Sequence, residues 1–216
     1  MPTAMTFNSL LGDLRGFIER GQVQDTSVYA QLPRIVNRVE RDLATKLKVL
    51  GLKNVVTSTF SAGVSVYAKP DRWRETTSIN FGVGSPPQQK RVPLYSRSYE
   101  YCRMYWPNPE ETGQPEFYAD YDYNHWLIVP TPSENYPFEI NYWGLPPLLD
   151  ESNQTNWLTE YAPNALLFGS LLQCAPFLKE DERIPIWQGF YNEQLAALDG
   201  QDLQRVIDQQ AARREV

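Results

Sequence analysis

The chain has 216 residues, of which 42% are hydrophobic and 21% charged, and a formal net charge of −6. That composition supports one large or two small cores and excludes disordered and collagen-like classes. No run reaches the roughly 20 apolar residues of a membrane helix, and an acidic chain as a whole is not expected to adhere to DNA.

Met1–Ser9 has neither a basic n-region nor an apolar h-region and reads as no secretory signal. Phe7, Leu10, Leu11, Leu14, Phe17 and Ile18 recur at spacings of three and four, which predicts an amphipathic helix stopped by Gly21. Leu32, Ile35, Val36, Val39, Leu43 and Leu47 predict a second helix, with Pro33 in its first turn and Gly51 as its stop.

The composition then shifts. Residues 51–150 hold 12 of the 17 prolines and 18 of the 28 aromatics, so a β-rich block is expected there. Strands are predicted at 54–60 and 64–67 around a hairpin-like loop at Ser61, Ala62 and Gly63, and at 78–83, with a loop over 84–89. Ser96 is taken to cap a short helix reaching Tyr105. Three further strands are predicted at 116–121, 125–129 and 138–143. Six or seven strands predict an antiparallel sandwich or curled sheet.

Helical periodicity returns at Pro163 through Leu172, where Pro176 must kink or end the helix. A last helix is predicted from Asp181, with Trp187, Phe190, Tyr191, Leu195 and Leu198 on one face and Gly200 as a possible break. Gln201–Val216 carries only a narrow stripe of Leu203, Val206 and Ile207, the pattern of a segment that docks elsewhere or stays mobile. The layout is α+β: a helical bundle from the N- and C-terminal segments (1–50 and 151–200), an inserted antiparallel β-rich domain (51–150) and a C-terminal arm (201–216).

Chemistry is sparse. Cys102 and Cys174 sit in apolar or aromatic surroundings and read as buried thiols in a reducing compartment. One histidine, His125, leaves almost no material for a histidine triad or a multi-histidine metal site. It is expected to be a strand-end residue bonded to a loop. Phosphate-loop, dinucleotide and nucleophile-elbow motifs are absent, and no cofactor or metal is expected. Glu110, Glu111, Glu116, Asp120 and Asp122 lie among tyrosines and Trp126, which opens a carbohydrate-binding or glycosidase alternative. On a strand, Asp120 and Asp122 would share a face. That alternative requires Trp126 or Trp143 to be exposed. A third reading is a β domain that binds some other protein.

Charge is segregated. The 69–103 stretch carries 7 basic and 3 acidic groups, and 110–122 carries 5 acids and no base. Head-to-tail contacts between identical subunits need two different complementary patches. The two stretches read as two solvated surfaces, as two faces with different partners, or as the two sides of a self-association contact; in the last case Arg72, Arg74, Lys90 and Arg91 on one side and Glu110, Glu111 and Glu116 on the other are the candidate contacts.

The order of several short segments is similar to phage head–tail adaptor proteins, a family that includes the tail tubular protein A of podophages. The segments are LPRIVNRVERDL (32–43), KPDRWRETTSI (69–79), GQPEFY (113–118), LIVPTPSENYPFEINYW (127–143), PPLLD (146–150), NWL (156–158), PNALLFGSLL (163–172) and WQGFYNEQL (187–195). Pro176 departs from the family's pattern, where an uninterrupted helix is expected. The resemblance covers about residues 5–198. It implies a structural, non-enzymatic virion protein, with a helical bundle bearing a β-rich domain. It implies a dodecameric ring under the portal protein, contacts with neighbouring subunits and a next tail or neck protein, and double-stranded DNA passing through an unspecific lumen. Assembly in the host cytoplasm and no membrane partner follow from the same resemblance. Within that picture Leu203, Arg205, Val206, Ile207, Arg213 and Arg214 are the expected portal-docking residues. Loops around 85–90 and 107–114 are expected to face the next tail component.

Overall fold

A computed structural model of the chain describes residues 4–19, 26–47, 49–84, 89–177 and 182–214. The fold is mixed, with helices and one large curled sheet. The chain divides into two compact units, one of Met1–Leu52 and Leu145–Val216, the other of Lys53–Gly144.

The first unit is helical. Helix α1 (Phe7–Ile18) starts at a capping box in which Thr6 and Ser9 exchange hydrogen bonds, and ends on Glu19 in the left-handed region. Gly21, the expected stop, lies outside the described residues. A four-residue turn, α2 (Thr26–Tyr29), precedes α3 (Leu32–Lys46), which carries Pro33 in its first turn. Helix α3 ends five residues before Gly51. Gly51 instead sits in a 3-10 turn (Leu50–Leu52) directly beneath the Trp157 indole, where any Cβ would collide. The apolar stripes fill as expected: Leu10, Leu14, Val36 and Leu43 are fully buried, while Phe17 is exposed.

Helices α5 (Trp157–Tyr161) and α6 (Pro163–Gln173) follow the β unit. A 3-10 turn, Ala175–Phe177, replaces helix at Pro176, whose ring cannot continue one. Helix α6 is the centre of this unit and touches α1, α3, α5 and the final helix, α7 (Ile184–Arg214). Gly169 allows that approach, because a Cβ there would lie 2.7 Å from Val39 and 3.0 Å from Tyr191. The expected cap Asp181 lies outside the described residues. Trp187, Tyr191 and Leu198 are buried on α7, but Phe190 is 45% exposed and only flanks Phe168. Gly200 does not break the helix.

The segment returning from the β unit is fixed to α3 by a buried carboxylate. Glu40, fully buried, accepts from the Leu149 backbone N–H (3.2 Å) and from the Asn156 amide. Asn37, with its amide nitrogen toward these acceptors, donates to Glu40 (3.1 Å) and to the Leu149 carbonyl (3.0 Å). Asn156 also caps α5 and donates to the Pro147 carbonyl.

The second unit contains β1 (Lys53–Phe60), β2 (Val66–Ala68), β3 (Trp73–Val83), β4 (Lys90–Ser96), α4 (Tyr99–Tyr105), β5 (Thr112–Gly113), β6 (Phe117–Asp120), β7 (His125–Val129), β8 (Thr131–Pro132) and β9 (Tyr136–Gly144). Seven strands form one sheet in the order β1-β9-β3-β4-β6-β7-β2, and β5 pairs with β8. All pairings in the large sheet are antiparallel except β4 with β6. Parallel neighbours need a crossover, and α4 lies within it.

Several local expectations fail. β1 and β2 do not form a hairpin; they are the two edge strands, pairing with β9 and β7. The sheet curls so that their ends meet. Phe60 and Tyr67 have ring centroids 4.9 Å apart, and the Tyr67 hydroxyl accepts from the Ser61 backbone N–H at 2.8 Å. Ser96 ends β4, a strand missed in the sequence, and Ser98 caps α4. The inner face is aromatic: Phe60, Phe81, Tyr118, Trp126, Tyr136, Phe138 and Tyr142, with Ile79, Ile128 and Ile140. Strand β7 is buried on both faces, which accounts for its unbroken apolar run.

Candidate interaction surfaces

The outer face of β6 and β7 presents Ala119, Leu127 and Val129. Helix α4 covers them with Cys102, which is fully buried. Burial pushes the Cys102 thiol up, although Arg103 and Arg97 oppose the shift. One small inward residue lets a seven-residue helix lie flat and turns its large side chains outward. Met104 is 69% exposed, Tyr105 57% and, on β4, Tyr95 59%.

These side chains form a continuous surface. Tyr101 packs on Tyr105 at 4.6 Å, one helical turn apart, and on Phe117 at 5.8 Å. Trp106 meets Phe117 at 5.5 Å, and Tyr99 meets Tyr121 at 5.9 Å. Two cations lie over the rings. The Arg97 guanidinium is 5.5 Å from Tyr101 and 5.3 Å from Phe117, and Arg103 lies over Tyr99 while donating to its hydroxyl at 3.2 Å. Tyr, Trp, Met and Arg enrichment with few Lys and Glu is the composition of a protein-contact surface. Aromatic density alone does not distinguish sheet packing from such a surface. The spacing Tyr99, Cys102, Tyr105 on a short helix, with one small apolar residue between large ones, was the signal that could have separated inward from outward rings.

The charged candidates fall elsewhere in this unit. Arg72 occupies a left-handed turn (φ 62°) leading into β3, and Arg74 is half-buried on β3; both have partners. Lys90 is exposed at the start of β4, and the neighbouring Arg91 pairs with Glu139 at 2.8 Å. Glu110 and Glu111 lie in an exposed turn after α4, and Glu116 is exposed just before β6.

The buried cation of the basic stretch is Lys69. Its ammonium lies 2.7 Å from Asp120 and 3.7 Å from the centre of the Trp73 ring, and it donates to the Asp122 carbonyl at 2.9 Å. Asp122 lies beyond the end of β6 and pairs with His125 Nδ1 at 2.9 Å, which holds its carboxyl below the usual range. The strand-end reading of His125 therefore holds. Asp120 and Asp122 do not share a strand face, because β6 has already ended: Asp120 pairs with Lys69 and Asp122 with His125. Trp126 is 1% exposed and donates its indole N–H to Thr76, so it offers no stacking platform; Trp143 is half-buried.

The backbone of 201–214 continues α7 without interruption. The side chains of Leu203, Arg205, Val206, Ile207, Arg213 and Arg214 lie outside what is described. Of the expected tail-facing loops, residues 85–88 also lie outside, and 107–114 is largely exposed. Among the described residues, no helix is long and apolar enough to cross a membrane.

A family model described as SU10 adaptor protein matches residues 5–214. The chain belongs to this family. It is a structural phage adaptor, a virion component that associates with other head or tail proteins. No curated protein matches the chain. The adaptor match extends through α7, past the residue near 198 where the sequence resemblance faded, so the C-terminal segment is part of the family pattern.

Proposed function

We propose that this adaptor assembles as a dodecameric ring between the portal protein and the tail and continues the DNA channel. The observation that carries this reading is the match to the adaptor family over residues 5–214. In this reading the helices of the two terminal segments form a bundle directed to the portal. Residues 201–216 are its docking arm, with Leu203, Val206 and Ile207 as apolar anchors and Arg205, Arg213 and Arg214 as charge partners. The unbroken run of α7 to Arg214 supports a helical arm.

Ring neighbours touch through heterologous contacts. The exposed aromatic and arginine surface around α4 would supply one such contact patch. Arg72, Arg74, Lys90 and Arg91 would meet Glu110, Glu111 and Glu116 of the next subunit at the rim. Loops 85–90 and 107–114 face the next tail or neck protein, and an acidic lumen lets DNA pass without sticking. Deleting 201–216 tests the arm: the truncated chain should remain folded and lose portal binding. Unchanged portal affinity would remove the arm from the account.

A further inference from the structure

We propose that the exposed aromatic surface around α4 receives the acidic 107–116 segment of a second copy of this chain, with Arg97 and Arg103 taking its carboxylates. Both sets of charges go unanswered within one chain. Glu110, Glu111 and Glu116 are exposed, as is Arg97, and Arg103 is half-buried. Among the described residues none of the five forms an ion pair.

The receiving side is preformed. Both guanidinium groups already lie over tyrosine rings, so they have given up much of their rotamer freedom before a carboxylate arrives. Arg103 uses its Nε on the Tyr99 hydroxyl, and its terminal nitrogens are neither bonded nor enclosed. Arg97 donates from one terminal nitrogen to the Ser96 carbonyl at 3.0 Å and is otherwise open. Glu100 is the one acid on α4 and pairs with neither arginine. Burial pushes the Cys102 thiol up beneath this helix, and the charges that act on it are Arg103 and Arg97, with no carboxylate among them. The field at this surface is therefore positive, which favours an acidic occupant.

The occupant is written in the same chain. The 107–116 segment holds three acids, three prolines and no base. Pro107 and Pro109 are exposed, and proline-containing extended segments dock on aromatic surfaces. The segment is tied down away from its own α4. The Pro109 carbonyl accepts from the Thr131 hydroxyl at 2.9 Å, Thr112–Gly113 pairs with Thr131–Pro132, and the Glu116 N–H donates to the Val129 carbonyl at 3.0 Å. Its acids and the two arginines therefore meet between copies and not within one. Only the statement that the second copy is a ring neighbour rests on the ring reading above.

The test is a nuclear magnetic resonance titration of the full chain with the 107–116 peptide, blocked at both ends, and with the same peptide carrying Gln in place of its three Glu. The acidic peptide should shift the Nε–H signals of Arg97 and Arg103 and the Met104 methyl, with a dissociation constant of about 1 mM. The Gln peptide should bind about tenfold more weakly. Raising salt from about 0.05 to 0.5 M should weaken the acidic peptide and spare the other. A chain with Arg97→Gln and Arg103→Gln should bind the two peptides alike. Equal binding of both peptides by the native chain, no shift at about 10 mM, or shifts confined to residues away from α4 would overturn the contact. The peptide pair needs no variant, so a folding defect in the arginine variant cannot obscure the result. A chain that ignores portal but prefers the acidic peptide would sink the ring reading and keep the contact, and the reverse result would do the opposite.

Discussion

The two units solve the same burial problem with different side chains. The helical unit packs aliphatic stripes: Leu10, Leu14, Val36, Leu43, Leu166 and Leu171 are all fully buried. The β unit packs aromatics on the inner face of its sheet and places a second set on the outside around α4. Burial explains the first set. The second set stays exposed among the described residues, and an exposed patch of that kind is a candidate interaction site. The lesson is that abundance of aromatics does not separate core from contact; their placement about a small inward residue, Cys102, does.

The largest expected effect tests the inner set. Phe60 is 1% exposed and stacks on Phe138 at 4.1 Å. Phe60→Ala should cost about 3–5 kcal/mol in urea unfolding, and a loss under about 1 kcal/mol would mean that the curled sheet does not close over this ring. Next is a buried polar pin of the helical unit. Glu40→Ala strands the Leu149 N–H and the Asn156 and Asn37 amides, and should cost about 3 kcal/mol, measured in the same way. A neutral result would show that the return segment holds to α3 without this carboxylate.

A smaller effect is set by pH. Cys174 is fully buried, and burial pushes its thiol from 9.0 up to about 11. The unfolded chain therefore releases this proton first, and stability falls as pH rises from about 9 to 11. The Cys174→Ala chain should lose less stability over that window, by up to about 2–3 kcal/mol. Parallel curves for the two chains would place the thiol in contact with water. The smallest effect on folding belongs to the outer set. Met104→Ala with Tyr105→Ala should change stability by less than about 0.5 kcal/mol yet weaken assembly with neighbouring subunits or partner proteins, read by sedimentation. Large destabilisation with intact assembly would make the outer rings part of the core after all.

Much of this was legible in the sequence wherever one physical rule acted alone. Three- and four-residue apolar spacing located α1, α3 and α6, and the apolar run of β7 was read as a strand. The errors arose where two local signals competed. Ser61, Ala62 and Gly63 look like a hairpin turn, but β1 and β2 each pair with distant strands, and pairing across 57 or more positions leaves no local trace. Ser96 and Ser98 both suit a helix cap, and β4 takes the first. Gly200 suits a helix stop, but a single glycine in a long helix costs only about 1 kcal/mol. Lys69 could not be told from the other basic residues by type, because its burial depends on Trp73 and Asp120 converging from two strands. The role of Glu40 was invisible for the same reason: its partners lie 109 and 116 positions away.

The central claim is that this chain joins the head to the tail. The most direct test is sedimentation of the purified protein alone and mixed with its cognate portal ring. The account predicts co-sedimentation at about one copy per portal subunit, reduced by deletion of 201–216. A protein that remains at its own sedimentation rate in the presence of portal would contradict it.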